Sequence, residues 1–491
     1  MPISFWPAEN KIWLLEGLIL AAALPFLLFP NQFTIGTLLA LLGLIFIETV
    51  PLLLKWRPLQ APSPIDIPLL LFGIVLGLSI LITADPDLTL DKTMGVLFGL
   101  FLWRYLNRTV KTTKAWYVAL AIFGLLGLGF VSLGILNAAW LYKIDVLTPI
   151  IDRLPNQIVA VPGQPSDGVH PNQIAGTLLF YFPLLWSVLI GRQRTKVKGL
   201  SEYRPQSSQR FLRLVSNSLS SLFPLWLFRN WFNWLWLGLT LLGTMALLLT
   251  QSRSGWLGGA AAIYCLTFLW AFMQPKGSRK QRHLFILAGL LTLGGLVGLA
   301  IIGPDRLVEL WQDPAQETAV GSLGSLNFRQ EVWLWTIVAV QDFPFTGVGL
   351  GSFRRVIRRL YPLNVVPSYD VAHAHNVYLH TAVDIGIPGL IFYLALVGLV
   401  LVLGWQAARN NAKLRPYALG LIAGLIGFHV YGLGDVLALG SKTGVAFWFL
   451  LGLVTTLTQI SPSPAVSRAN PALSTLENHE ANPVGQLAQQ R

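Results

Sequence analysis

The chain has 491 residues, a formal net charge of +13, 54% hydrophobic residues and only 12% charged ones. Soluble domains carry roughly 25% charged residues, so this composition excludes a soluble globular enzyme and describes a polytopic membrane protein. The single cysteine, Cys265, lies in an apolar run, which excludes disulfides and thiolate metal sites.

A bilayer-crossing helix needs about 20 apolar residues. Twelve runs qualify in chain order, at 12–30, 33–54, 67–84, 93–106, 115–136, 173–191, 231–250, 255–273, 284–302, 385–404, 416–434 and 443–459. They are continuous rather than alternating, so the expected fold is all-α with about twelve transmembrane helices, not a barrel. The first run is too long for a signal-peptide core and no small-residue cleavage site follows, so no cleavable signal is expected.

With the amino terminus inside, the loops 55–66, 104–114, 192–230, 274–283 and 405–415 hold 21 Lys and Arg, against 11 in the outer loops. That positive-inside bias accounts for much of the net charge without nucleic acid. The basic 192–230 loop suits a cytoplasmic position near anionic lipid heads. The longest outer loop, 303–376, has six Arg against seven Asp and Glu. Residues 1–460 thus form one transmembrane domain, and the Pro/Ser/Asn-rich 461–491 reads as a disordered cytoplasmic tail.

Four polar clusters sit at the outer rim. In "DGVHPNQIAG", Asp167 to Gly176, Pro171 suits a first helical turn and His170 and Asn172 either cap the helix or line a ligand site. In "QSRS", Gln251 to Ser254, Arg253 lies close to hydrocarbon, either snorkelling to the headgroups or fixing an anion with its planar fork of donors. Arg329 falls on the first turn of a helical stretch, 328–341. It is followed by "GVGLGSF", Gly347 to Phe353, which lacks the strand–helix frame of a dinucleotide fingerprint and reads as a tight loop. The run "RRVIRR", Arg354 to Arg359, reads as a solvated or headgroup-facing surface.

The fourth cluster gathers His373, His375 and His380 just before a span. Three imidazoles can ligate Zn²⁺, but no thiolate lies near and no helical HExxH frame is present. A neutral imidazole that takes a proton from a hydroxyl is the preferred reading; activity would then fall as the pH drops through an imidazole value near 6.5.

"HNVYLHTAVDIGIPG", His375 to Gly389, fits H-[NSQ]-x9-G-x-x-G. It resembles the O-antigen ligase family of bacterial envelope glycosyltransferases, whose relatives include O-antigen polymerases and protein O-oligosaccharyltransferases. "SRSGWLG" around Arg253, the segment from Phe328 to Phe353 with Arg329, and "HPNQIAG" are similar to further elements of that family, so the resemblance covers most of 170–400.

The resemblance implies a GT-C-like scaffold in the inner membrane, with both termini cytoplasmic and the active site on the periplasmic face. It implies an undecaprenyl-diphosphate-linked glycan as donor and a lipid or glycan acceptor such as lipid A core, with membrane lipids as surroundings. It implies His375 as the base and Arg253 and Arg329 on the diphosphate, with Asn172, Asn376 and Asp384 as further substrate contacts. No metal and no other cofactor are implied. Asp384 departs from the glutamate the family often has there, and either orients a site residue or starts the helix at Pro388. Ligase, polymerase and protein-glycosylating forms share these elements. From another class, a bicarbonate transporter, as one cyanobacterial branch is labelled, would need paired charges near mid-membrane, and the runs hold few apart from His429 and Asp435.

Overall fold

A computed structural model describes residues 8–54, 63–159, 168–192, 225–303, 305, 324–364 and 370–460. Most of the basic loop, 193–224, and the tail, 461–491, lie outside them, as does Asp167. Among the described residues there are helices and turns but no strand, only an isolated bridge between Ala138 and Val169.

The helices are α1 (Ala8–Leu28), α2 (Thr34–Leu53), α3 (Asp66–Leu81), α4 (Pro86–Thr109), α5 (Thr113–Leu136), α6 (Pro171–Leu178), α7 (Phe182–Arg192), α8 (Leu225–Leu249), α9 (Arg253–Phe272) and α10 (Arg279–Ile302). After them come α11 (Gly324–Asp342), α12 (Phe353–Leu360), α13 (Val377–Asn410), α14 (Arg415–Tyr431) and α15 (Val445–Gln459). Each of the twelve apolar runs lies on a helix, the sixth divided between α6 and α7. Among the described residues, five helical stretches are long and apolar enough to cross a membrane: Thr113–Leu136, Pro171–Gly191, Arg253–Phe272, Arg279–Ile301 and Val377–Asn410.

Side-chain caps mark several starts. Asp85, Thr112, Ser252 and Ser278 each accept from a backbone N–H in the first turn that follows. Hydropathy misses such signals. The fourth run, expected at 93–106, begins at Pro86 because Asp85 caps it and proline fits the first turn.

Helices α14 and α15 are the most enclosed, α14 between α7, α9 and α13, and α15 against α4, α5 and α13. Small residues let backbones approach: a side-chain carbon at Gly258 of α9 would lie 2.6 Å from the Gly427 carbonyl of α14. By contrast α10 keeps most of its apolar side chains exposed, as a lipid-facing helix must.

The runs are less free of charge than they read. Arg104 and Arg108, expected in an inner loop, lie within α4. Arg108 reaches Glu16 of α1 at 2.7 Å and Glu48 of α2 at 2.8 Å, and Arg104 reaches Glu48 at 2.6 Å. Glu16 is 3% exposed, so removing Arg108 takes a charged partner from a buried carboxylate. Arg108→Leu is expected to destabilise the protein by about 3–5 kcal/mol. Thermal unfolding in detergent checks this, and an unchanged midpoint would show that the pair holds nothing.

At the other end of α4 the "GVGLGSF" loop interlocks with a break in α13. Backbone dihedrals leave the helical range at Ile385 and at Gly386, where φ is +75° and ψ 170°. The Val348 and Gly349 N–H groups donate to the Val383 and Asp384 carbonyls at 2.8 and 3.0 Å, and Ile387 N–H donates to the Pro344 carbonyl at 2.7 Å. Gly347 has φ +66°, and a side-chain carbon there would fall 2.6 Å from the Asp384 oxygen. The Leu350 N–H donates to Ser79 Oγ at 2.7 Å, and Ser352 Oγ joins Thr83 Oγ1 at 2.8 Å. One loop therefore ties the ends of α3 and α4 to the broken helix. Above it, α11, α12 and residues 371–383 share a small core of their own, with Val332, Phe353, Ile357 and Val383 buried.

Candidate active site

Five segments distant in sequence meet around one carboxylate, Asp435, in the turn after α14. Asp435 is 3% exposed. Its Oδ1 accepts from the Val436 N–H at 2.9 Å, and its Oδ2 accepts from Asn172 Nδ2 of α6. Arg329 of α11 places a guanidinium nitrogen 3.8 Å from Oδ2, while His375 Nδ1 and His373 Nε2 lie 3.7 and 3.9 Å from Oδ1. The Arg253 turn adjoins the same loop, since a side-chain carbon at Gly434 would lie 2.6 Å from Ser254 Oγ.

His375 has φ +49°, a left-handed backbone that only a few per cent of non-glycine residues adopt. Its N–H donates to His373 Nδ1 at 3.3 Å, and its ring meets Phe328 edge-on at 5.7 Å between centroids. His375 Nδ1 is buried with no hydrogen-bond partner among the described residues. Burial, then the charges of His373 and Arg329, hold the His375 imidazole well below its ordinary value; burial pushes His373 down to about 4 although Asp435 opposes it. Both rings are therefore neutral at pH 7.

Not every expected site residue faces this centre. Asn376 caps α13, its Oδ1 accepting from the Tyr378 and Leu379 N–H groups at 3.0 and 3.1 Å, and its Nδ2 donates to the Leu433 carbonyl at 3.2 Å. Asp384 is 2% exposed; it accepts from the Gly351 N–H at 2.8 Å and stands 3.5 Å from His380 Nε2. Both positions support loops. His380 is buried against Phe353 and turned to Asp384 rather than to Asp435. His170 caps α6, its Nδ1 accepting from the Asn172 N–H at 3.2 Å, while Asn172 itself reaches the centre. Ser252, at 0% exposure, caps α9.

The donor atoms of His373, His375 and Asp435 lie within 4.8 Å of one another, a grouping that can hold a metal ion. It is not the three-histidine set read from sequence, because Asp435 replaces His380. A dication there would share its carboxylate with the Arg329 guanidinium, whose nitrogen stands 3.8 Å from Oδ2.

Residues 238–394 match the family model described as O-antigen ligase. The chain carries an O-antigen ligase domain. Together with the apolar helices, this domain supports a membrane enzyme of the O-antigen ligase or polymerase type. Comparison with curated proteins gave no match. The O-antigen ligase domain contains Arg253, Arg329 and His375, but Asn172 and Asp435 lie outside the matched segment. Sequence reading passed over Asp435 as a site residue because nothing in "GLGDVLALG" marks it; its one signal is a carboxylate beside an apolar run, which is costly unless used.

Proposed function

We propose that the protein moves a glycan from an undecaprenyl-diphosphate carrier to an acceptor hydroxyl, on the periplasmic face of the inner membrane, within a twelve-span scaffold whose termini are both cytoplasmic. The observation that carries this reading is the convergence of Arg329, the Arg253 turn and a neutral His375 on Asp435.

Each group has a chemical task. His375 takes the acceptor proton through Nε2, and the Asp435 carboxylate, 3.7 Å from Nδ1, steadies by its charge the imidazolium that forms. The freed oxygen attacks the anomeric carbon, the bond from that carbon to the diphosphate oxygen breaks, and the configuration inverts. Charge then grows on the departing diphosphate, where Arg253 and Arg329 stabilise it most. Asn172 anchors Asp435, and Asn376 and Asp384 hold the loops in place. The reaction as written uses no metal or other cofactor.

The experiment is reconstitution in nanodiscs with an undecaprenyl-diphosphate glycan and candidate acceptors, following release of undecaprenyl diphosphate. Transfer to lipid A core marks a ligase, chain extension a polymerase, and transfer to a protein hydroxyl an oligosaccharyltransferase. Arg253→Ala and Arg329→Ala should each lose about 2–4 kcal/mol of transition-state stabilisation. Arg→Lys should be impaired as well, because lysine lacks the fork. Full activity in both alanine variants removes the assignment, and loss of transfer in EDTA with rescue by zinc replaces the metal-free mechanism.

A bicarbonate transporter needs paired charges near mid-membrane, whereas the network of Arg104, Arg108, Glu16 and Glu48 lies at the far end of α4, Arg108 standing 23 residues along it from Asp85, roughly 35 Å at 1.5 Å per residue. Bicarbonate uptake by proteoliposomes without any glycan transfer would favour that reading.

A further inference from the structure

The 137–159 segment, between α5 and α6, played no part in the site as read from sequence. It is nevertheless bound to the Arg253 turn. Gln251, two residues before Arg253, is 1% exposed and has φ +48°. Its side-chain amide bridges the neighbouring segment: Oε1 accepts from the Lys143 N–H at 2.7 Å, and Nε2 donates to the Leu141 carbonyl at 2.6 Å. The Lys143 ammonium donates to the Gln251 carbonyl at 3.3 Å. That single long bond leaves two of its three donors for another partner.

We propose that Lys143 is a third cation of the diphosphate site, set beside Arg253 by the Gln251 clamp. This rests on the reading above and assigns part of its donor recognition. Burial, then the charges of Arg253 and Arg329, hold the Lys143 ammonium below its usual value, with Asp435 opposing, so these four groups share one electrostatic neighbourhood. Three cations and one carboxylate leave a net charge of two, since the two imidazoles are neutral. A diphosphate esterified at both ends carries two negative charges and neutralises that excess. A monophosphate diester carries one and does not. When the glycan leaves, the lipid diphosphate gains a terminal oxygen and a further charge, which an extra cation favours over the bound donor.

The test compares binding of an undecaprenyl-diphosphate-linked sugar and an undecaprenyl-monophosphate-linked sugar, both diesters, to the full-length protein in nanodiscs, alongside thermal unfolding. Wild type should prefer the diphosphate. Lys143→Gln should weaken diphosphate binding about tenfold or more, as loss of a charge-assisted contact does, with a much smaller effect on the monophosphate. Lys143→Arg should keep most of the preference, and Gln251→Ala should lose it while retaining the lysine. An unchanged preference in Lys143→Gln, with binding lost in Arg253→Ala and Arg329→Ala, would refute the role of Lys143 and leave the proposed function standing. Equal weakening for both lipids together with a lowered unfolding temperature would make Lys143 a loop anchor and also refute it. Wild type that binds neither lipid would overturn the functional reading itself.

Discussion

His375→Ala should lower glycan transfer by about 10²–10⁴-fold, the usual worth of a positioned general base. His375→Gln should fail equally, because an amide cannot accept the proton. His380→Ala should instead act through stability, because His380 packs on Phe353 and faces Asp384. The pH dependence separates the base from a simple ring contact. Sequence alone leads one to expect a loss of activity near pH 6.5. The structure moves that limb, because burial and the neighbouring His373 and Arg329 charges keep His375 neutral well below the ordinary value. The kcat/KM profile, which reports the free enzyme, should therefore be flat through pH 6.5. Stability should behave differently. The unfolded chain binds protons at these histidines near 6.5 while folded His373 waits until about 4, so their contribution is complete above 6.5 and declines as the pH falls below it. Wild-type transfer by His375→Ala, or a sharp acid limb at 6.5 that His375→Gln removes, would contradict this account.

The second large effect concerns a glycine that touches no substrate in the proposed reaction. Gly386→Ala should unfold the break in α13 and the loop interlocked with it. With φ +75° and ψ 170° Gly386 occupies a region essentially reserved for glycine. A methyl there would also run into the Phe345 carbonyl, a backbone atom held by the interlocked loop. The strain costs roughly 1–3 kcal/mol and the collision about 1–3 kcal/mol more. Gly398, in the same helix, is the control. A methyl at Gly398 meets nothing within 4 Å, and alanine there should be neutral or stabilise by up to about 1 kcal/mol. Unfolding temperatures of the two variants in one detergent decide the matter; equal values would show that the break in α13 is not held by its neighbours.

These two residues show what the sequence could and could not say. His375 and Gly386 both belong to the motif that carries the family resemblance, yet the pattern does not distinguish a reacting group from a backbone requirement. Apolar runs were legible because hydrocarbon length is a local property. Arg104 and Arg108 were placed in a loop because hydropathy cannot see that a charge pairs with a carboxylate on another helix. Asp384 left its two readings open, and the structure shows a third, with its carboxylate holding the Gly351 backbone. Asp435 and Lys143 carry no motif. Their meaning arises only when the turn after α14 and the segment after α5 arrive beside Arg253 and Arg329.

That arrival has a consequence for biogenesis. Asn172 and Asp435 are 263 residues apart, and α15 is the one α-helix after Asp435 among the described residues. A nascent chain that has already inserted the Arg253 turn and the His375 segment still has no carboxylate between them, and its cations repel one another. The centre closes only when the turn between α14 and α15 arrives. A ribosome that stalls before Tyr431 thus releases a chain with nearly all its helices and no competent centre, while anionic lipid headgroups compete for the same uncompensated charge until translation ends.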